Sequence, residues 1–174
     1  PFYANGAQLI LECREAMDKE TTSASSLAAI KRIYKSACSS SRRELHGAFK
    51  SGDKWAICDG YRFIRLNSKP ESIPETKNDL NLERFICNAR DGEIVELSSV
   101  SEVKAKIAEL KAMHGKDWKT KPIEALPGWY CNPQYLLDML QALPNGRAHL
   151  PKNSASPLYY ESDEGDALVM AVRH

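Results

Sequence analysis

The first third of the chain changes from a helical to a strand-like hydrophobic period. Apolar residues recur at helical spacing over residues 27–38, and a short helix is expected over residues 7–17. The Thr/Ser-rich stretch of residues 21–26 lies between them and offers several helix N-caps, so we expect the second helix to start there. The pattern predicts two separate helices before the first strand.

A three-stranded meander is predicted directly after these helices. Apolar and polar residues alternate over residues 45–50, 54–58 and 61–66, which is typical of half-buried strands. Ser51-Gly52-Asp53 and Asp59-Gly60 are turn sequences at the two junctions. A helix followed by three antiparallel strands is therefore the first predicted unit.

The middle of the chain has a mixed pattern. Residues 67–79 are polar and contain two prolines, so a loop is expected there. Residues 84–89 and 93–97 are predicted to be strands, and residues 100–114 have the apolar spacing of a helix. Residues 115–127 are charged and are expected to be irregular.

The last third repeats the order of the first. A short strand is predicted over residues 128–131, and Asn132-Pro133 then supplies an N-cap and a proline at the first helical position. This helix is expected to run to Leu143. Three strands are predicted after it, at residues 147–150, 157–161 and 167–173. The chain is therefore predicted to have an α+β fold of two helix-plus-antiparallel-meander repeats.

The overall charge of the chain is nearly balanced. It has 24 Lys and Arg against 23 Asp and Glu, so contact with nucleic acid would need a local basic face. Such a face is predicted on the helix over residues 27–38 and just beyond it, from Lys31, Arg32, Lys35, Arg42 and Arg43. The last helix is not expected to have a basic face, because Gln134, Asp138 and Gln141 are predicted on its exposed side. The alternative for the basic face of the earlier helix is that it contacts only solvent, as charged helix faces commonly do.

The five cysteines indicate neither a disulfide framework nor a zinc site. They are widely spaced, with no CxxC pair and no zinc-finger spacing to a histidine. Without a signal peptide, such thiols are expected in the reducing cytoplasm. The longest apolar runs fall far short of the about 20 residues that a membrane-spanning helix needs. The sequence predicts a cytoplasmic protein with no membrane, metal or cofactor partner.

The sequence lacks the common motifs of enzymes. It has no P-loop, no glycine-rich dinucleotide turn, no HExxH sequence and no nucleophile elbow. Four carboxylates near the C-terminus lack the calcium-loop pattern and are expected to form a solvated hairpin turn: Glu161, Asp163, Glu164 and Asp166. We expect a non-enzymatic protein without catalytic residues, and a small enzyme of unrecognised type is the distant alternative.

Two regions of the chain, residues 30–66 and the C-terminal part from residue 132, each contain two motifs that resemble one protein family. Arg42-Arg43-Glu44-Leu45-His46-Gly47 and Cys58-Asp59-Gly60-Tyr61-Arg62-Phe63 are similar to the R-P-x-L-x-G and T-D-G-[HY]-R-L patterns of the bacterial DNA polymerase sliding clamps. Residues 132–143 resemble the N-x-x-Y-L-x-D-x-L-x-A-L helix of that family, and residues 169–174 resemble its terminal V-M-P-M-R-L. Four positions depart from these patterns: Arg43 and Ala171, where the family has Pro, Cys58, where it has Thr, and His174, where it has Leu.

The resemblance implies a single clamp-like domain over residues 1–174. Its first repeat would occupy residues 1–66, an elaborated middle residues 67–127, and the end of the second repeat residues 128–174. Six such domains close the ring of the family, so a homo-oligomeric ring, a dimer and a monomer are all open. Strands at the rim of the domain would favour self-association.

The resemblance also implies two binding surfaces. In clamps, helix cations contact the phosphates of encircled duplex DNA without reading the bases, which would assign the five cations named above to DNA. A hydrophobic cleft captures linear motifs of polymerases and repair proteins, and in the family its walls come from neighbouring domains. The corresponding residues here are Gly60, Tyr61, Arg62 and Phe63 on one wall and Leu168, Met170, Ala171 and Val172 on the other. These would otherwise be ordinary core and turn residues.

Two non-enzymatic functions follow as expectations. The first is a sliding-clamp-like, DNA-associated processivity or scaffold protein of replication or repair. The second is a clamp-derived adaptor that binds a partner peptide and does not encircle DNA.

Overall fold

One long helix and three shorter ones form the α-helical part of the structure. The computed structural model describes the backbone of residues 2–173 and, within the first helix, the side chains of residues 8, 10–15 and 24–38. In this part of the chain the α-helices are α1 (Phe2–Cys38), α2 (Glu83–Ala89), α3 (Val100–His114) and α4 (Pro133–Ala142). Short 3₁₀ helices lie at Arg43–Leu45 and Gly115–Thr120.

The strands form one large antiparallel sheet and one small hairpin. In chain order they are β1 (Phe49–Ser51), β2 (Lys54–Cys58), β3 (Arg62–Leu66), β4 (Ile94–Val95), β5 (Ile123–Leu126), β6 (Trp129–Cys131), β7 (Arg147–His149), β8 (Leu158–Ser162) and β9 (Gly165–Val169). The large sheet has the order β1-β2-β3-β9-β8-β7-β4, and β5 pairs only with β6. The α+β class predicted from the sequence is confirmed.

Two three-stranded meanders meet where β3 pairs with β9. Arg62 lies opposite Val169 and Leu66 lies opposite Gly165 along this antiparallel ladder. A Cβ atom at Gly165 would collide with the carbonyl oxygen of Arg65, so glycine is required for the close approach of the strands. The ladder therefore has β1, β2 and β3 on one side and β9, β8 and β7 on the other.

Helices α1 and α4 pack side by side on one face of this sheet. Ile30 and Ile33 of α1 lie in the same buried cluster as Leu136 of α4, together with Ile64 and Val169 of the sheet. Apolar burial of this kind stabilises a fold by roughly 25 cal/mol per Å². Each helix precedes its own three-stranded meander along the chain.

Helix α1 is continuous, whereas the sequence predicted two helices with the second starting at the Thr/Ser-rich stretch. It spans 37 residues without a break. At the end of that stretch, the Ser26 hydroxyl donates a hydrogen bond to the carbonyl oxygen of Ala142 at the end of α4, at 2.8 Å. This hydroxyl therefore joins the two helices and does not cap the start of one. The contact is tertiary, so it could not be predicted from the neighbouring residues in the sequence.

Helix α2 replaces the strand that was predicted over residues 84–89. Leu82, Ile86 and Ala89 are spaced by four and three residues, so they share one helix face. This face packs on the side of the sheet opposite to α1, against residues such as Phe63 and Leu168. The sheet is therefore covered on both faces.

The ends of several strands also differ from the prediction. The strand expected over residues 45–50 begins only at Phe49, because a 3₁₀ turn occupies Arg43–Leu45. The last strand ends at Val169 rather than at residue 173, and the N–H of Val172 donates instead to the Tyr130 carbonyl oxygen at 2.8 Å. His174 lies outside the described residues. The segment expected to be irregular over residues 115–127 contains a 3₁₀ helix and β5.

Two helices have the predicted positions because their caps are local. Helix α3 has the predicted bounds and begins with a capping box, in which Ser99 and Glu102 exchange side-chain to backbone hydrogen bonds. Before α4, the Asn132 side chain accepts the N–H of Gln134 at 2.9 Å.

Within the described part of the chain, no helix has the length and apolarity needed to cross a bilayer.

Thiol reactivity tests this packing. Burial raises the pKa of Cys58 above its ordinary value and the pKa of Cys131 to about 12, whereas Cys13, Cys38 and Cys87 are exposed. At about pH 8 we expect Ellman's reagent to modify the three exposed thiols rapidly, and the other two only after unfolding in urea. Rapid reaction of all five in native protein would contradict the packing.

Candidate functional site

The turn between β2 and β3 is held by the side chain of Asp59. Its Oδ1 accepts the backbone N–H groups of Tyr61 at 3.0 Å and Arg62 at 3.1 Å. Its Oδ2 accepts the hydroxyl of Ser36 on α1 at 2.8 Å. Gly60 has a φ of 93°, a left-handed conformation that glycine adopts without a Cβ clash. One carboxylate therefore shapes the turn and attaches it to α1.

Arg62 connects this turn to α4. Its buried guanidinium donates from Nε to Asp59 Oδ2 at 3.0 Å and from Nη1 to Asp138 Oδ2 at 2.7 Å. The guanidinium also lies 4.2 Å from the ring centre of Tyr135, a cation–π contact. Because one cation serves two buried carboxylates on different elements, it fixes the position of α4 relative to the turn.

Asp138 receives two further donors at its other oxygen. Arg32 Nε on α1 lies 2.7 Å and Gln134 Nε2 lies 2.9 Å from Asp138 Oδ1. The prediction that Asp138 lies on an exposed side of α4 is wrong, because α1 covers that side and leaves the carboxylate fully buried. The carboxylates of Asp59 and Asp138 balance the guanidinium groups of Arg32 and Arg62. We call these four residues the buried ion network after its three buried members, since the Arg32 side chain is partly exposed.

The buried ion network joins the two stretches that resemble sliding clamps. Asp59 and Arg62 belong to the stretch similar to T-D-G-[HY]-R-L, and Asp138 belongs to the helix stretch that starts at residue 132. Arg62 and Asp138 are 76 positions apart in the chain. The separate motifs are therefore in direct contact in the folded protein.

An apolar groove lies beside the turn on the α2 side of the sheet. It has a volume of about 130 Å³. Six of the residues predicted for peptide binding line it: Gly60, Tyr61, Arg62, Phe63, Leu168 and Met170. The N–H of Met170 donates to the carbonyl oxygen of Tyr61 at 3.0 Å, which ties the two walls together. One chain therefore supplies both walls.

Two of the predicted groove residues lie elsewhere, and a third contributes differently. Ala171 packs against the core cluster on the α1 and α4 side of the sheet. Val172 does not line the groove and is partly exposed. Arg62 borders the groove, but its guanidinium is held by Asp59 and Asp138. Its charge is therefore committed within the fold.

A third wall of the groove comes from the middle of the chain and was not predicted. Leu80, Leu82 and Phe85 line it. No pattern in the sequence indicated a binding site here, since Phe85 was predicted to lie in a strand and Leu80 and Leu82 were assigned to no element. Arg42, which is among the predicted DNA contacts, also lies at the rim of the groove, where its Nε donates to Glu44 at 2.9 Å.

The other predicted DNA contacts lie on α1 and just after it. Lys31 and Lys35 are exposed on the helix, and Arg43 is exposed in the 3₁₀ turn. Arg32 remains partly exposed, although its Nε donates to Asp138. Three of the five predicted cations, Lys31, Lys35 and Arg43, are therefore exposed and take part in none of the ion pairs of the described residues.

A second set of ion pairs holds α2 to the sheet. Arg65 donates from Nε and Nη2 to the two oxygens of Asp166, at 2.8 Å and 2.5 Å, and from Nη1 to Glu83 of α2 at 3.0 Å. The Tyr159 hydroxyl donates to Asp166 at 2.9 Å, and burial together with this carboxylate raises the pKa of Tyr159 to about 12.

The prediction of a solvated acidic turn near the C-terminus is correct for two of its four carboxylates and wrong for the other two. Asp163 and Glu164 are exposed in the turn. Asp166 is buried against Arg65, and Glu161 is half-buried, with its Oε1 3.1 Å from His149 Nε2. These two carboxylates serve packing of the sheet.

Comparison of the chain with family models, with curated proteins and with solved structures finds no match. The resemblance to sliding clamps therefore rests on the sequence motifs alone. In the part of the chain that the structure describes, no three His, Cys, Asp or Glu side chains are grouped to hold a metal ion.

Proposed function

We propose that this chain is a non-enzymatic, sliding-clamp-like protein of DNA replication or repair, which docks a short linear segment of a partner protein in the apolar groove. The observation that carries the proposal is the groove itself. Tyr61 and Phe63 from one motif and Leu168 and Met170 from the other end of the chain line it together.

The exposed side chains of the groove suit capture of a peptide. Tyr61 is 65% exposed and Met170 is 40% exposed, so both offer apolar area that a partner can bury. Methionine adapts its shape to different apolar side chains, and tyrosine adds a polar tip. The backbone beneath them is fixed by Asp59 and by the Met170–Tyr61 hydrogen bond, which lowers the entropy cost of binding.

The buried charged groups support a role without catalysis. Asp59 and Asp138 are engaged with arginines in the buried ion network, and Asp166 is engaged with Arg65. These carboxylates hold elements of the fold together, and we assign none of them a chemical step. All five cysteines are free thiols, which fits our proposal that the protein acts in the reducing cytoplasm.

The peptide-docking proposal is tested with an array of synthetic decapeptides. Each carries a central pair of large apolar residues drawn from Leu, Met, Phe and Tyr, flanked by glutamines. We expect the wild-type protein to bind a subset of pairs with micromolar affinity, measured by fluorescence anisotropy. Tyr61→Ala/Met170→Ala should weaken this binding at least about tenfold, because truncating anchor residues at an interface costs about 1 to 2 kcal/mol each.

Met113→Ala/Ile94→Ala is the matched control for that experiment. Both residues are large, apolar and exposed, and neither lines the groove. The control should bind like the wild type. Absence of binding to every peptide, or equal binding by the two double variants, would overturn the docking proposal.

Duplex DNA binding is the second candidate function, and the exposed cations of α1 favour it. Lys31 and Lys35 are exposed on one helix, and Arg43 follows closely in the chain. Cations of this kind attract phosphates without reading the bases. One domain cannot surround a duplex, so encirclement would in addition need self-association of the chain.

The DNA proposal predicts a salt-dependent affinity for a short duplex. Lys31→Gln/Lys35→Gln should reduce the slope of log K against log salt by about 1.8, since each lost phosphate contact contributes about 0.9. Lys104→Gln/Lys111→Gln on α3 is the control, because it removes the same charge from another helix. If the α1 variant and the wild type give the same slope and affinity, the DNA role fails.

A further inference from the structure

A second cavity lies directly beyond the groove, on the other side of Phe85. It has a volume of about 280 Å³ and is lined by Arg84, Phe85, Asn88, Lys152 and Pro157, among others. Phe85 lines both cavities and is 45% exposed, so it forms an apolar ridge between them. The two cavities together form an elongated surface across α2.

This second cavity carries positive charge that the fold leaves unbalanced. Arg84 and Lys152 are both exposed there, and neither forms an ion pair among the described residues. Among the side chains that the structure describes, those that line either cavity include no carboxylate. Arg84 lies over the ring of Phe85, at 5.6 Å from its centre, which places its charge beside the ridge.

The nearest acidic residue of α2 points away from this surface. Glu83 contacts Arg65 at 3.0 Å and Arg90 at 3.2 Å, and it lines a different cavity from Arg84. At the rim of the groove, Arg42 is already paired with Glu44. The uncompensated cations of the elongated surface are therefore Arg84 and Lys152.

We infer that the partner segment is acidic next to its apolar anchor. The inference rests on the proposed peptide docking and adds the chemistry of the partner. An apolar side chain occupies the groove, the peptide crosses the Phe85 ridge, and adjacent Asp or Glu side chains contact Arg84 and Lys152. Charge complementarity of this kind selects among apolar peptides and speeds their association.

The residues that carry this inference lie outside the motif-matched stretches. Arg84 and Phe85 belong to α2 in the middle of the chain, and Lys152 lies between β7 and β8. The second cavity is therefore formed by residues for which the resemblance implies no role. It would give the groove a preference for peptides with acidic flanking residues. The apolar walls cannot supply this preference, because apolar contacts are insensitive to the charge of the residues that flank the anchor.

Three peptides with one anchor test the inference. The best apolar pair from the array is flanked on both sides by four Glu, four Gln or four Lys residues. At low ionic strength we expect the Glu peptide to bind about three- to tenfold more tightly than the Gln peptide, and the Lys peptide to bind most weakly. Added salt should shrink these differences, because the contacting charges are exposed.

Two variants locate the effect. Arg84→Gln/Lys152→Gln should abolish the preference for Glu over Gln, measured as the ratio of the two peptide affinities within the same variant. Arg90→Gln is the matched control, since Arg90 is a cation next to the same helix that lines a different cavity with Glu83. This control should keep the preference for Glu.

The outcomes separate the inference from the function on which it rests. Equal affinity of the wild type for the Glu and Gln peptides overturns the inference while the docking proposal stands. A Glu preference that survives in Arg84→Gln/Lys152→Gln also overturns it, because the acidic flank then contacts other cations. If no peptide of either design binds, the docking proposal and the inference fall together.

Discussion

The contact between Arg62 and Asp138 is the interaction on which the rest of the structure depends. It places a buried cation of β3 at 2.7 Å from a buried carboxylate of α4, and Asp59 and Arg32 complete a neutral set. Loss of either Arg62 or Asp138, both buried, leaves an uncompensated buried charge, which costs about 3 to 5 kcal/mol. Packings of α4 that separate the pair would incur such a cost, so we expect the pair to favour the observed arrangement.

Strand β3 fixes both faces of the sheet because its two arginines point in opposite directions. Arg62 reaches α4 on one face, and Arg65, three positions later, reaches Asp166 and Glu83 on the other. The groove lies at the end of this strand, between the turn that Asp59 shapes and the α2 segment. Its shape is therefore a consequence of the ion pairs rather than of apolar packing alone.

The sequence predicted the features that depend on neighbours in the chain. The bounds of α3, the cap of α4 and the turns at Gly52 and Gly60 depend on local sequence, and they were found as expected. Burial of Asp138 could not be predicted, because it depends on α1 lying beside α4. Helix α2 was read as a strand because its short apolar run satisfies either period, and only the sheet beneath it decides between them.

The candidate site also has a part that could be predicted from the sequence and a part that could not. Its two motif-derived walls came from a likeness to a family, whereas Leu82 and Phe85 join the groove only through the folding of the middle segment over the sheet. The predicted cations also separate in the structure. Arg32 is drawn into the buried ion network, while Lys31 and Lys35 stay free for a partner. Pairing of charges is a tertiary property, which a net charge of +1 does not reveal.

A double-mutant cycle at Arg62 and Asp138, measured by urea unfolding, tests the central claim most directly. Arg62→Met, Asp138→Leu and the double variant should give a coupling energy of about 1 to 3 kcal/mol, with the double variant more stable than the two single losses predict. The exposed pair Arg42 and Glu44 is the reference, with an expected coupling below about 1 kcal/mol. Coupling at Arg62 and Asp138 no larger than at this reference pair would contradict the claim that their contact unites the two halves of the fold.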